Sequence, residues 1–232
     1  MSDIYSSGEY LSNNPDWHEE GAPEKAANIL KLILRNGTNV RSVAEVGCGS
    51  GQILAELQKQ LPASSVFHGY DISPDAYSIC SKKTNERLHF FLEDLTGKKD
   101  AAFDLLLVID VIEHIENYFE FLRKLKHQAP YFIFHIPLDL CTWTLFREEM
   151  LIESKKRVGH IHNFSPKFIR SILDDLGYET VDWFYTPPQF ENMTGKQRFV
   201  NGFRKLFFAI SKNFAVKTFG GYSIMLLAKT KS

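Results

Sequence analysis

The sequence predicts an α/β protein built on an open, mostly parallel sheet with helices on both faces. Three observations carry this. Short β-branched or aromatic runs alternate regularly with helix-length segments. A glycine loop, Glu45-Val46-Gly47-Cys48-Gly49-Ser50-Gly51, joins one such run to a helix. Acids or a histidine close successive runs at Asp71, Asp94, Asp110 and His135. Strands joined by long crossovers run parallel, and an open parallel sheet binds ligands beyond the carboxyl ends of its strands.

The elements follow in order. Residues 1–24 are polar, with Asn13-Asn14-Pro15 as a turn signal. Ala27, Ile29, Leu30, Leu32, Ile33 and Leu34 give 24–35 the buried face of a helix, which Pro23 opens and Asn36-Gly37 ends. A strand over 42–47 feeds a helix running to Gln60, before Pro62. The second strand is 66–71, after which Ser73-Pro74 starts a helix with Ser as its cap. A third strand occupies 88–92. The run 103–109 is almost wholly apolar, as a strand covered on both faces requires. A helix over 114–126 and a strand over 131–136, stopped by Pro137, come next. The pattern loosens over 138–164. Ser165-Pro166 opens a helix to Leu176, capped by Gly177, and strands follow over 179–185 and 221–229. Between them lies an aromatic and basic insertion over 189–220.

Length and composition bound the function. The 232 residues suit one large domain. A net charge of −1 gives no global field toward nucleic acid, so no DNA partner is expected. Cys48, Cys80 and Cys141 form no C-x-x-C pair and no disulfide framework, which points to a reducing, cytoplasmic setting. The N-terminus has no signal-peptide pattern, and no apolar run is long enough for a membrane span. Neither G-x-S-x-G nor a P-loop lysine occurs.

The glycine loop reads G-x-G-x-G, with Gln52 where a dinucleotide fingerprint would have its third glycine, so a different nucleoside cofactor is expected. Together with Asp71 about twenty residues on, Asp94 after the third strand and Asp110-Val111-Ile112-Glu113-His114 after the fourth, this loop resembles that of the class I S-adenosylmethionine-dependent methyltransferases. The likeness covers roughly 40–185 and the final strand. The block 159–166 resembles one found in many small-molecule members. The resemblance implies a Rossmann-like seven-stranded sheet with an antiparallel last strand, S-adenosylmethionine as cofactor and S-adenosylhomocysteine as product. It further implies that Gly47, Cys48, Gly49 and Gly51 wrap the methionine part and that Glu45 holds the loop or the cofactor amino group. Asp71, with Ile72 beside it, would accept the ribose hydroxyls, Asp94 with Leu95 would meet the adenine, and the Asp110 backbone would meet the cofactor ammonium.

Methyl transfer needs a base only where the acceptor keeps its proton. His135, at a strand end, is the first candidate, followed by His162, His160 and His18. No metal is expected, though Asp110, Glu113, His114 and His162 resemble the metal set of small-RNA 2′-O-methyltransferases and some ubiquinone-pathway O-methyltransferases. The chain reads as one methyltransferase domain over 1–232: a helical cap (1–40), a core (41–186 and 221–232) and lids (138–164 and 187–220). Tyr5, Tyr10, Trp17, Trp143, Phe164 and Tyr185 are candidate pocket residues. The expected acceptor is a small-molecule hydroxyl, amine or carboxylate. The alternatives are a metal-assisted O-methyltransferase of RNA or a quinone precursor, and a non-catalytic cofactor- or partner-binding module. Over 196–217 six bases alternate with phenylalanines, and Phe199, Phe203 and Phe207 share a helix face. That segment suits a membrane surface, a lipid-linked substrate or a homodimer contact.

Overall fold

The structure, a computed structural model, describes residues 19–98, 102–188 and 195–231, with backbone alone for 195–200. Tyr5, Tyr10, Trp17 and His18 lie outside the described residues. The chain runs α1 (Ala22–Arg35), β1 (Ser42–Val46), α2 (Gln52–Gln60), β2 (Val66–Asp71), α3 (Pro74–Cys80), β3 (Leu88–Leu92) and β4 (Leu105–Ile109). It continues through α4 (Tyr118–Leu125), β5 (Tyr131–Pro137), α5 (Thr142–Leu145), α6 (Glu149–Val158), α7 (Pro166–Asp175) and β6 (Tyr178–Thr186). Helices α8 (Gly195–Ile210) and α9 (Lys212–Phe219) precede β7 (Ser223–Thr230).

The seven strands form one sheet in the order β3-β2-β1-β4-β5-β7-β6. β1 to β5 pair in parallel, and β7 is antiparallel to both β5 and β6, as expected. The winding reverses between β1 and β4, which places a ligand crevice at their carboxyl ends.

β4 shows why its sequence is apolar throughout. Leu105, Leu107 and Ile109 join one core with α1 and α2, through Ala26, Ile29, Leu32, Leu54 and Leu57. Leu106 and Val108 join the opposite core with α4 and α7, through Leu122, Leu125, Ile169 and Leu173. Successive strand residues face opposite ways, so a strand with helices on both faces needs both sets apolar.

Two expectations change. The helix placed over 114–126 begins only at Tyr118, because the Asn117 side chain caps it by accepting the Glu120 N–H at 3.2 Å. The loosened segment 138–164 contains α5 and α6. Among the described residues no helix is long and apolar enough to cross a membrane.

Candidate functional site

A cavity of about 710 Å³ opens at the carboxyl ends of β1, β2, β4 and β5. The glycine loop and Asp71 line it from one side, and the first turn of α1, the last turn of α6 and Thr186–Pro188 from others.

The loop conformation is demanded by its glycines. Gly51 has φ +73°, and a Cβ there would sit 2.4 Å from the Phe90 ring. A Cβ on Gly47, φ +67°, would meet Val111 Cγ2 at 2.8 Å. Positive φ and close packing together exclude larger residues. The loop is tied to β2: Gly47 N–H donates to Tyr70 O at 2.8 Å, and Gly49 N–H donates to Asp71 Oδ2 at 2.8 Å. Asp71 Oδ1 accepts from Ser73 N–H at 2.9 Å. Burial pushes the Asp71 carboxyl up, opposed by these N–H groups.

Glu45 is buried, and its Oε2 has no hydrogen-bond partner among the described residues. Burial pushes its pKa well above the carboxylate range, with the Lys25 charge opposing and Asp71 and Asp110 adding.

A chain of polar contacts crosses the cavity. Lys25 Nζ lies 2.7 Å from Asp110 Oδ2, and His135 Nδ1 lies 2.6 Å from Asp110 Oδ1. His135 Nε2 is 2.9 Å from Thr186 Oγ1. Burial alone would raise the Asp110 pKa, but His135 and Lys25 outweigh it and hold the carboxyl far below its usual range. Burial would lower the Lys25 pKa, but Asp110 raises it on balance. Asp110 has φ +53°, the one non-glycine positive φ among the described residues. Such strain marks a position that its surroundings hold in place.

A third group lies beside it. Glu113 is fully buried, and neither carboxylate oxygen has a hydrogen-bond partner among the described residues, though His114 Nε2 lies 3.8 Å from Oε1. Burial, then the Asp110 charge, pushes its pKa well above the usual range. His114 Nδ1 is 3.1 Å from Gly159 O, and burial, with the His160 charge adding, lowers its pKa to about 4. His160 Nδ1 is 2.7 Å from Asp139 Oδ2. One ligand atom each from Glu113, His114 and His160 lie within 4.8 Å of one another, a spacing that can hold a metal ion.

Glu45, Gly47, Cys48, Gly49, Asp71, Ile72, Asp110 and His135 all line the cavity. Gly51 stands just behind it, at the start of α2. His162 does not reach it: Nε2 is 3.0 Å from Ile115 O, and the ring packs on Tyr118. In the metal-type cluster His160 replaces His162, and Asp110 is engaged by Lys25 and His135 instead. Asp94 and Leu95 are also off the lining. Asp94 caps a short turn through Thr96 N–H and Oγ1, both at 2.8 Å, and Leu95 is in the core. Nor do those of the expected aromatics that are among the described residues line the cavity. Phe164 and Tyr185 are core residues, and Trp143 stacks under Arg147 on the surface. Lys25, Asp139 and Thr186 went unremarked in the sequence, because no local pattern distinguishes them from ordinary surface residues.

The glycine loop, the acids ending β2 and β4, and the crevice at the sheet's switch point define the class I methyltransferase fold. A family model described as a methyltransferase domain matches residues 17–182, and the chain belongs to that family of S-adenosylmethionine-dependent enzymes. Among curated proteins it is 27% identical over 107 residues to the ubiquinone biosynthesis O-methyltransferase of Rickettsia typhi. That match spans 44% of this chain and 43% of the relative, less than half of either. Among solved structures, magnesium protoporphyrin IX methyltransferase of Synechocystis PCC 6803, with bound SAH, superposes with a TM-score of 0.60 at 18% identity. It covers 91% of this chain and 84% of that one. The 1,6-didemethyltoxoflavin-N1-methyltransferase of Burkholderia thailandensis gives 0.62 at 16% identity, covering 97% and 85%. At these identities the structures share the fold.

Proposed function

We propose that this enzyme methylates a hydroxyl group of a small molecule, with amines and carboxylates as the other acceptors in the same class. The carrying observation is the Asp110–His135–Thr186 chain inside the cavity. Ionised Asp110 can only accept, so His135 Nδ1 carries the proton it donates. In that tautomer Nε2 is the ring atom that can accept, and it stands 2.9 Å from the Thr186 hydroxyl. An acceptor hydroxyl that displaces Thr186 would meet a base already oriented by its carboxylate.

The residues around the glycine loop fit the cofactor. Glu45 brings a buried carboxyl oxygen without a partner, and Asp71 keeps acceptor capacity beyond its two backbone donors. Glu45, Gly47, Cys48, Gly49, Gly51, Asp71, Ile72 and Asp110 would hold it. Geometry gives Asp94 and Leu95 no such support. When bound, S-adenosylmethionine supplies an electrophilic sulfonium methyl. The protein's part is to align the acceptor and exclude water. The organisation in one domain accords with this: α6, within the 138–164 lid, lines the cavity through Ser154, Arg157 and Val158, and Pro187 and Pro188 of the second lid line it too. A cavity reaching past the glycine loop to these lids favours an enzyme over a non-catalytic module.

A panel of phenols, alcohols, amines and carboxylic acids, assayed with labelled methyl donor, tests the acceptor class. His135→Gln should keep S-adenosylhomocysteine affinity and lose kcat on hydroxyl acceptors. An unchanged rate on every hydroxyl acceptor would remove His135 from the chemistry.

The Glu113–His114–His160 cluster favours a second reading, metal-assisted O-methylation. One buried carboxylate and two imidazoles suit a divalent transition ion or Mg²⁺, which would polarise an acceptor oxygen. The curated relative's name, an O-methyltransferase of ubiquinone biosynthesis, is consistent with a quinone-precursor acceptor. Full activity of protein freed of metal by a chelator excludes this reading.

A further inference from the structure

Two of the three cysteines meet behind the glycine loop. Cys48 lies between Gly47 and Gly49 and lines the cavity. Cys80 is the last residue of α3. They are 7% and 1% exposed and share one core cluster with Phe90. A Cβ on Gly51 would stand 2.4 Å from the Phe90 ring and 3.0 Å from Cys80 Cβ. A Cβ on Gly69 would stand 2.4 Å from the same ring and 2.9 Å from Cys48 Sγ. Cys80 S–H donates to Tyr77 O at 3.7 Å, and Cys48 S–H donates to Cys80 Sγ. The Cys48 contact holds the Cys80 pKa below its ordinary value, against the opposing effect of burial. The thiolate is the reactive form of cysteine, and a neighbouring donor favours it. Cys141 sits elsewhere, 3.5 Å from Thr144 Oγ1.

We propose that Cys48 and Cys80 form a peroxide-oxidised pair whose disulfide weakens cofactor binding. Two thiols and one hydrogen peroxide give one disulfide and two waters. Two S–H bonds and the O–O bond break, the S–S bond forms, each sulfur gives up one electron, and the waters carry off both protons. Hydrogen peroxide is small enough to enter the cavity, where it meets Cys48 first. Bonding draws the two sulfurs inside their hydrogen-bond contact and pulls Cys48 toward α3. Its neighbours have no room to follow. Gly47 lies against Val111, Gly51 lies against Phe90, and Gly49 N–H holds Asp71 Oδ2 at 2.8 Å. In a close-packed interior the displacement passes to those contacts. The effect rests on the reading that this loop and Asp71 hold the cofactor. Bound cofactor covers Cys48 in turn, so by linkage it opposes oxidation. Transient disulfides of this kind are how proteins in a reducing setting sense oxidants.

The test treats the full chain with stoichiometric hydrogen peroxide, with and without saturating S-adenosylhomocysteine. Peptide mapping of treated wild type should find Cys48 linked to Cys80 and Cys141 still a thiol. S-adenosylhomocysteine affinity should fall by roughly 5- to 150-fold, the usual range of coupling between two sites, and dithiothreitol should restore it. Saturating S-adenosylhomocysteine should slow the loss of thiols and raise the midpoint potential of the pair by about 30 mV for each tenfold of that coupling. Cys80→Ser keeps a hydroxyl between Cys48 and Tyr77 O and cannot form the bond, so its affinity should survive peroxide. Cys80→Ala serves the same purpose should the serine variant unfold. Treated wild type without the Cys48–Cys80 link overturns the proposal, as does linked protein of unchanged affinity. So does a folded Cys80 variant that loses affinity as far as wild type does, which puts the effect on Cys48 alone. Untreated protein that fails to bind S-adenosylhomocysteine refutes the cofactor reading instead, and the peptide map still reports on the pair.

Discussion

Replacing Asp71 with Asn separates its two tasks. In the structure the carboxylate accepts from Gly49 N–H at 2.8 Å and from Ser73 N–H at 2.9 Å, one on each oxygen. A carboxylate has about four acceptor sites, so two remain for a vicinal diol. An Asn carbonyl oxygen offers about two sites, one of them taken by a backbone N–H, and its amide nitrogen offers none. One of the two ribose contacts is therefore lost, and the survivor loses its charge. Hydrogen bonds to charged groups contribute about 1.5–3 kcal/mol each, so the expected loss is about 2–3 kcal/mol. That corresponds to a roughly 30- to 150-fold weaker S-adenosylhomocysteine affinity by titration calorimetry. Stability should change less. The Asn amide turns a donor toward one backbone N–H, but the cost of burying a charge disappears. A net loss of about 1–2 kcal/mol would lower Tm by roughly 2–8 °C. If the affinity stays within about threefold of wild type while Tm falls, Asp71 merely fastens the loop and the ribose assignment is wrong.

Gly51→Ala imposes a left-handed alanine and a Cβ 2.4 Å from the Phe90 ring. The cost should be about 2–5 kcal/mol in denaturant unfolding, and adding Phe90→Leu should recover part of it. Glu113→Gln should raise stability at neutral and alkaline pH. The folded pKa of Glu113 lies above its unfolded value, so wild type loses stability as pH rises past about 4.3, the unfolded value, toward the folded pKa. The difference between the two proteins in urea midpoint should vanish near pH 4 and widen upward; a constant difference would show that Glu113 does not titrate this way.

Most of the sheet was legible because its signals are local. A strand covered on both faces must be apolar at every position, and 105–109 is. A loop that needs positive φ must contain glycine, and Gly47, Gly49 and Gly51 have it. Strand ends bearing Asp71 and Asp110 follow from the same local reading, and both meet the cavity. The start of α4 was misplaced by four residues, from His114 to Tyr118, because Asn117 caps through a side chain that periodicity ignores.

By itself, then, the sequence determined the order and type of the strands and the glycine loop with its acids. Each depends on neighbouring residues or on a repeat of the backbone. Only the tertiary structure decided which groups meet. Lys25, Asp110, His135 and Thr186 come from α1 and from the ends of β4, β5 and β6, and they touch because β4, β5, β7 and β6 align. His160 and His162 are two residues apart, and the path of the chain turns the first toward Asp139 and Glu113 and the second onto the Ile115 carbonyl. Phe203 and Phe207 share a helical face in the sequence pattern, yet Phe207 packs on Phe219 while Phe203 keeps 45% of its surface exposed. Helical periodicity gives the spacing of apolar residues, and the packing of the remaining chain decides which of them are covered.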